Sequence, residues 1–330
     1  VPILRPRLTQ LLGAASSKRI VVVGDAMLDV YLRGDVERIS PEAPVPVVRV
    51  RDRRHALGGA ANVAQNVAAL GASVELVATV GTDAMGAELT AMIAGLGGEV
   101  RGLVAVDRPT TTKTRIVARA QQVVRVDEEV DDDCSADDVA RLLAAVTRAV
   151  ADADALVLED YNKGVLVPAV ITHAVQTARA KGIPVVVDPK FRNFFAYTGA
   201  TVFKPNRREL EAALGADVDL DHPETLPALL DQLGVDAILL TLSERGMALI
   251  ERGVTDVHRI PTTAREVYDV VGAGDTVIAY LAAMLASGAT AIEAAEIANY
   301  AAGVEVGKLG AATVSVDEVV QAYGEVTGNT

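Results

Sequence analysis

The sequence predicts an α/β fold in which a mostly parallel central sheet is covered by helices on both faces, with a small β-sheet standing off it. Three observations predict it. β-Branched strand-like runs alternate with Ala-rich helical runs along most of the chain, glycines mark the junctions, and two charged stretches break the rhythm. Helix, glycine and buried strand repeated in this order form βαβ units, whose strands are apolar throughout because both sheet faces are covered.

The first strand is RIVVVGD (19–25). Residues 31–57 follow, with three prolines and many charges, too polar for the buried sheet. GGAANVAQNVAALG (58–71) reads as a helix with glycine at its start and Gly71 at its end. SVELVATVG is a strand and AMGAELTAMIAGLG a helix. Residues 107–128 alternate polar and apolar around an expected hairpin turn at Ala120-Gln121. Helix then strand returns in DVARLLAAVTRAVADADALVLED, in AVITHAVQTARAKGIPVVVDP and in LPALLDQLGVDAILLTLSERG. Nothing marks a second large domain, so residues 1–330 read as one unit. The stretches 31–57 and 107–128 look like half-exposed antiparallel strands, forming either a lid or two surface hairpins without function.

A chain of 330 residues that is 50% apolar holds a sizeable core. Aromatics are 3% and tryptophan is absent, so that core is built from Val, Leu, Ile and Ala. A net charge of −13 argues against nucleic-acid and membrane-surface partners, but leaves room for a phosphorylated substrate held by a local basic cluster. The single Cys134 excludes an internal disulfide and fits a reducing compartment. Its acidic neighbours raise a thiol pKa and argue against reactivity. The four histidines show no zinc-ligand spacing with it. The longest apolar run, Thr276 to Ser287, falls short of the ~20 residues of a membrane span. A soluble, cytoplasmic protein is expected.

GVEVGKLG (303–310) fails as a P-loop, because its glycines are one residue too close and Leu309 replaces the Ser or Thr. GAGDTV lacks the third glycine of a dinucleotide fingerprint. What remains is Gly272-Ala273-Gly274-Asp275 at the start of an apolar helix. Helix N-termini offer unsatisfied N–H donors and favour negative charge, and glycines let an anion approach closely. This element reads either as a helix cap or as a phosphate cradle beside a catalytic carboxylate. Asp25, Asp160, Asp188 and Thr241 all stand at strand ends, where open α/β sheets bind ligands. FKPNRREL (203–210) places Asn206 and Glu209 in a capping-box pattern, or Glu209 toward a hydrated Mg²⁺. Residues 101–125 hold six basic side chains against Asp107 alone. Lys113 and Arg115 share a strand face there, as edge-strand guards or as an anion-binding lid face.

Taken in order, Gly58-Gly59 with Asn62, then Asn206-Arg207-Arg208-Glu209, Thr241-Leu242-Ser243 with Gly246, and Gly272-Ala273-Gly274-Asp275 resemble the ribokinase-like (PfkB) carbohydrate kinases over nearly the whole chain. Residues 24–50, LEDYNKGVL (158–166) and VDPK (187–190) are most similar to the branch acting on D-glycero-β-D-manno-heptose 7-phosphate, in its monofunctional form. The resemblance implies a Rossmann-like domain with a β lid, pairing as a homodimer through the lids. It implies ATP, Mg²⁺ and γ-phosphate transfer to the anomeric hydroxyl, giving heptose 1,7-bisphosphate for lipopolysaccharide core synthesis. By motif, Asp275 is the general base, and the N–H groups of Gly272, Ala273, Gly274 and Asp275 are the anion hole. Asn206 and Glu209 lie at the nucleotide phosphates and metal. Thr241, Ser243 and Gly246 lie along the nucleotide, with Asn299 near the adenine. Asp29, Gly59, Asn62 and Asp160 contact the sugar, with Asp188 also on the substrate side. Lys113, Arg115, Lys163 and Lys190 are expected around the 7-phosphate. The family has Thr where Val271 stands, beside a monovalent-cation loop expected near Asp269.

Overall fold

The computed structural model describes residues 3–119, 121–222 and 226–328. Helix α1 (Arg5–Ala15) leads into strand β1 (Arg19–Gly24), a Val-rich run buried on both faces. The chain then leaves the main body for two long strands, β2 (Ala26–Ile39) and β3 (Pro46–Gly59). It returns through α2 (Ala60–Ala69), β4 (Ser73–Gly81), α3 (Ala84–Gly95) and β5 (Leu103–Val106). A second excursion, β6 (Thr112–Ala118) and β7 (Gln121–Glu128), precedes α4 (Ala136–Val150) and β8 (Ala155–Glu159). Next come α5 (Pro168–Lys181), β9 (Val185–Asp188), β10 (Val202–Phe203), α6 (Arg207–Leu214), α7 (Leu226–Leu233) and β11 (Ala237–Thr241). The hairpin β12 (Met247–Glu251) and β13 (His258–Ile260) follows, then α8 (Ala273–Ala286), α9 (Ala291–Glu305) and α10 (Val316–Thr327).

Among the described residues the main sheet has nine strands in the order β13-β12-β11-β10-β9-β8-β1-β4-β5. From β5 to β11 neighbouring strands are parallel, and β12 and β13 add an antiparallel edge. One core packs α2, α8 and α9 on one face; the other packs α4, α5 and α7 on the opposite face. Ala279, Ala282 and Ala283 are fully buried in α8, and small side chains there bring the helix close to the sheet. The strand order reverses at β1, with β4 on one side and β8 on the other. That reversal opens the crevice at the carboxyl ends where α/β sheets take ligands. No helix among the described residues is long and apolar enough to cross a membrane.

The two off-rhythm stretches make a separate four-stranded sheet, β3-β2-β6-β7. Both hairpins are antiparallel as expected, but β2 and β6 pair in parallel, because the chain returns to the main body between them. Residues 26–30 of β2 are buried in the main body, and exposure grows as the strand climbs away. Gln121 opens β7, while Ala120, the other half of the expected turn, lies outside the described residues. Gly58 and Gly59 end β3, and Gly59 is at the same time the N-cap of α2, as the glycine expected at the helix start. Gly59 pairs with Ala26 at φ 55°, where a Cβ would sit 2.4 Å from the Asp25 carbonyl oxygen, so only glycine closes this junction.

Candidate active site

Helix α8 begins where the loop from β13 meets α2. Gly272, at its N-cap, has φ 97° and ψ −9°, a left-handed conformation that glycine adopts without strain. The first backbone bond of the helix runs from Thr276 N–H to Gly272 O at 2.9 Å. The N–H groups of Gly274 and Asp275 therefore have no carbonyl acceptor among the described residues, and they point with the helix dipole at whatever lies before the helix. A Cβ on Gly272 would lie 3.2 Å from both Ala311 and the Asn62 amide nitrogen. Gly272→Ala is accordingly expected to cost about 1–3 kcal/mol through the strained φ. It should also lower kcat by displacing Asn62, as melting curves and initial rates would show.

Asp275 is 5% exposed. Its Oδ2 accepts a hydrogen bond from Asn62 Nδ2 at 2.6 Å, and its Oδ1 accepts one from Tyr161 OH at 3.0 Å. Burial pushes its pKa up to about 6, with the charge of Asp188 adding to the rise and the Asn62 and Tyr161 bonds opposing it. A carboxylate so placed is ionised near neutrality yet basic enough to take a proton. Asn62 thus holds the carboxylate, a role its motif position alone did not show.

Below Asp275 lies a row of charged groups at the strand ends. Glu159 closes β8 in register with Asp188 of β9, and Asp188 pairs with Lys204 at 2.6 Å. Both Asp188 and Lys204 are buried, and a Cβ on Gly274 would lie 3.6 Å from the lysine nitrogen and 3.7 Å from Asp188 Oδ2. Glu159 is fully buried, and neither of its carboxylate oxygens has a partner among the described residues. Burial, then the charges of Asp188 and Asp275, push its pKa well up. Neither Glu159, Tyr161 nor Lys204 was expected at the site. Lys204 lies inside FKPNRREL, and Glu159 and Tyr161 flank Asp160. Strand-end position was the signal, and strand parity was the missing step.

Asp160 corrects its expectation. It is 1% exposed, and its oxygens accept the Asn162 N–H and the Tyr197 OH, both at 2.7 Å. It therefore fixes the loop behind the site rather than facing the cleft. Asp25 works with it, accepting the N–H groups of Tyr161, Lys163 and Val165. Together they shape residues 161–165, which carry Tyr161 to Asp275.

On the other side of α8 is a mostly apolar cavity of about 470 Å³ lined by Thr241, Ser243, Gly246, Ala273, Gly274 and Asn299, with Val267, Val270 and Val306. The structure thus brings Thr241, Ser243, Gly246 and Asn299 to one cavity at the first turn of α8, while Asn206 and Glu209 do not line it. Asn299 Nδ2 is tied to the Pro261 carbonyl at 2.9 Å. Asn206 and Glu209 form the capping box in full, and the Glu209 Oε1 also pairs with Lys190 at 2.6 Å. Lys190 therefore stands with the nucleotide-side residues, apart from the other expected cations.

Those cations lie on the small sheet and the loop facing it. Arg115 on β6 pairs with Asp29 on β2. Lys113 and Lys163 both pair with Glu129, at 2.9 and 2.8 Å. Val271 is 39% exposed, and its N–H donates to Asp269 Oδ1 at 3.1 Å, while Asp269 Oδ2 accepts the Gly310 N–H at 3.2 Å. The valine side chain therefore takes no part in core packing.

Residues 17–318 match the pfkB family carbohydrate kinase profile. Two curated relatives are each called "Bifunctional protein HldE". The one from Shewanella amazonensis is 48% identical over 314 residues, 94% of this chain and 64% of its own length. The one from Rhodospirillum rubrum is 44% identical over 322 residues, 96% of this chain and again 64% of its own length. The chain thus spans less than two thirds of these relatives. Among solved structures, Arabidopsis thaliana ribokinase complexed with ribose and ATP superposes with a TM-score of 0.72 at 21% identity, covering 93% of this chain and 98% of that one. Phosphofructokinase-2 from Escherichia coli in complex with potassium gives a TM-score of 0.77 at 20% identity, covering 94% and 99%. At that identity the likeness establishes a ribokinase-like fold.

Proposed function

The chain belongs to the pfkB family of carbohydrate kinases, and from that premise we propose that it transfers the γ-phosphate of ATP to the anomeric 1-hydroxyl of D-glycero-β-D-manno-heptose 7-phosphate. The product, the 1,7-bisphosphate, would feed ADP-heptose and lipopolysaccharide core synthesis. The observation that carries the reading is Asp275: a buried carboxylate raised to about 6, in the first turn of a helix whose Gly274 and Asp275 N–H groups have no carbonyl acceptor among the described residues and whose start lines an apolar cavity. The identity to HldE proteins supports the choice of sugar.

In this reading the acceptor hydroxyl meets Asp275, which takes its proton, while the N–H groups of residues 272–275 hold the transferring phosphoryl group. Such chemistry depends on position and charge rather than on covalent participation. Thr241, Ser243, Gly246 and Asn299 would hold the nucleoside. Asn206 and Glu209 would stand at its phosphates, and Glu209, partly exposed beside Lys190, fits a hydrated Mg²⁺. Bound there, Mg²⁺ supplies positive charge to the phosphate oxygens. Asp29, Gly59 and Asn62 would face the sugar. A monovalent cation near Asp269 is consistent with Glu305, whose buried carboxylate oxygens lack partners among the described residues and whose pKa burial and Asp269 push up to about 8.

We assign the small sheet as a lid that excludes water. Its exposed Val123, Val124 and Val126 on β7 support a homodimer through the lids. The test is an ADP-coupled assay with ATP across heptose, heptose 7-phosphate, and ribose and fructose with and without phosphate, with product position read by NMR. Heptose 7-phosphate is expected to be preferred, with the new phosphate at C1. Equal or better turnover of unphosphorylated ribose or fructose would replace it with another family kinase activity.

A further inference from the structure

We propose that Glu129 is a built-in anion that fills a phosphate site between the small sheet and the main body, keeping Lys113 and Lys163 paired until a phosphate group displaces it. The inference rests on the reading that the acceptor is a sugar phosphate.

Glu129 follows β7 directly. Its Oε1 binds Lys163 Nζ at 2.8 Å, from the loop after β8 in the main body, and its Oε2 binds Lys113 Nζ at 2.9 Å, from β6 of the small sheet. One carboxylate therefore gathers two ammonium groups from two separate parts of the fold. Without an anion between them these groups would repel. Neither lysine is loosely placed. Lys163 has its N–H on Asp25 Oδ2 at 3.0 Å and its carbonyl on Arg108 at 2.9 Å. Lys113 is opposite Asp29 in the β2–β6 register. Asp127 accepts two bonds from Arg125, at 2.9 and 3.0 Å, and a longer one from Lys113 Nζ at 3.5 Å. Glu129 is thus the carboxylate that the two lysines share.

The cluster is linked to the Asp275 site through neighbouring residues. Tyr161, two residues before Lys163, is bonded to Asp275, and Lys113 shares its strand with Arg115, the partner of Asp29. All three side chains of the Glu129 cluster are largely but not wholly buried, so the anion can be exchanged without opening the core. Lys163 and Lys113 outweigh the effect of burial and hold the Glu129 carboxyl below its ordinary range, which keeps it anionic at neutral pH.

Charge then decides what can enter. Two ammonium groups facing one carboxylate retain a positive charge, and a phosphate monoester carrying about −1.5 to −2 satisfies it better than a carboxylate does. A neutral hydroxymethyl group offers no such compensation. To occupy the pocket it must break two charge-assisted bonds and leave two partly desolvated cations unpaired. A neutral group therefore leaves Glu129 in place, and only a phosphate group competes with it for the two lysines.

The test titrates inorganic phosphate by calorimetry into the full chain at low salt, comparing wild type with Glu129→Gln, Glu129→Asp and the double variant Lys113→Met with Lys163→Met. Glu129→Gln is expected to bind phosphate about tenfold more tightly, roughly the worth of a partly buried ion pair. Glu129→Asp, too short to hold both lysines, is expected to fall between, and it carries the test if the Gln variant fails to fold. The double lysine variant is expected to show no binding in the same range. The preference for heptose 7-phosphate over free heptose in kcat/KM should rise in Glu129→Gln by about the same tenfold factor, because free heptose leaves Glu129 in place in the wild type. Phosphate affinity equal to or weaker than wild type in both Glu129 variants overturns the proposal. The titration contains no sugar, so tighter phosphate binding in a chain that ignores heptose 7-phosphate would support the pocket and remove the acceptor assignment.

Discussion

Asp275→Asn is expected to lose turnover by ~10²–10⁴-fold, the usual contribution of a general base, while still binding ATP. The amide keeps the shape of the carboxylate and its Asn62 contact, and the apolar cavity beside α8 does not include this side chain. Only the ability to take a proton is removed. In the wild type kcat should rise with pH through about 6 and then level, because the base must be ionised. The variant should lack that limb. Stability should move the other way. A carboxyl whose folded pKa is raised contributes stability below its unfolded value near 3.8, and that contribution is lost as pH rises through about 6. Above that pH the buried charge costs about 3 kcal/mol, which the asparagine avoids. The variant should therefore gain on the wild type between about pH 4 and about pH 8 in denaturant titrations. Turnover within a few-fold of wild type, or an unchanged acid limb, would remove Asp275 from the role of base.

The alternation of strand and helix was legible because parallel, doubly covered strands must be apolar throughout. RIVVVG and ALVLE show this in the chain as plainly as in the structure, as β1 and β8. The small sheet was legible as two polar hairpins, but its parallel seam was not. Pairing between β2 and β6 depends on where the chain returns, which period-2 alternation does not encode. The glycine-and-aspartate element was legible as a helix start, with Gly272 at the N-cap of α8 and Asp275 in its first turn. Its partners were not, because Asn62, Tyr161 and Lys204 come from three distant segments that meet only through sheet order and strand parity. The basic residues were recognisable as a group, and the structure divides them. Glu209 takes Lys190 and Glu129 takes Lys113 and Lys163, since a partly buried cation requires a local counter-charge. Asp160 was read as facing the ligand because it ends a strand, yet strand-end residues alternate in direction, and its side chain turns to Tyr197.

Lys204→Met is expected to be the most destabilising single change near the site, by about 3–5 kcal/mol, the cost of leaving one member of a buried ion pair alone. Lys204 is 3% exposed at the end of β10, and its nitrogen lies 2.6 Å from Asp188 Oδ2. Burial opposes its charge, and Asp188 and Glu159 more than restore it, so its pKa is raised. Removing it leaves Asp188 buried beside Asp275 and Glu159, with Lys190 the nearby cation, already engaged by Glu209. Three carboxyl groups would then compete for protons, and Asp275 would lose an ammonium that favours its ionised form. The acid limb of kcat should consequently shift to higher pH in whatever fraction of the variant folds. A double variant, Lys204→Met with Asp188→Leu, removes both charges and replaces them with apolar volume. It should recover most of the lost stability, as replaced buried pairs commonly do. Recovery of stability without recovery of rate would separate the structural role of the pair from its electrostatic effect on Asp275. Denaturant midpoints of Lys204→Met within about 1 kcal/mol of wild type, well under the usual cost of an uncompensated buried charge, would show that water or Lys190 neutralises Asp188 instead.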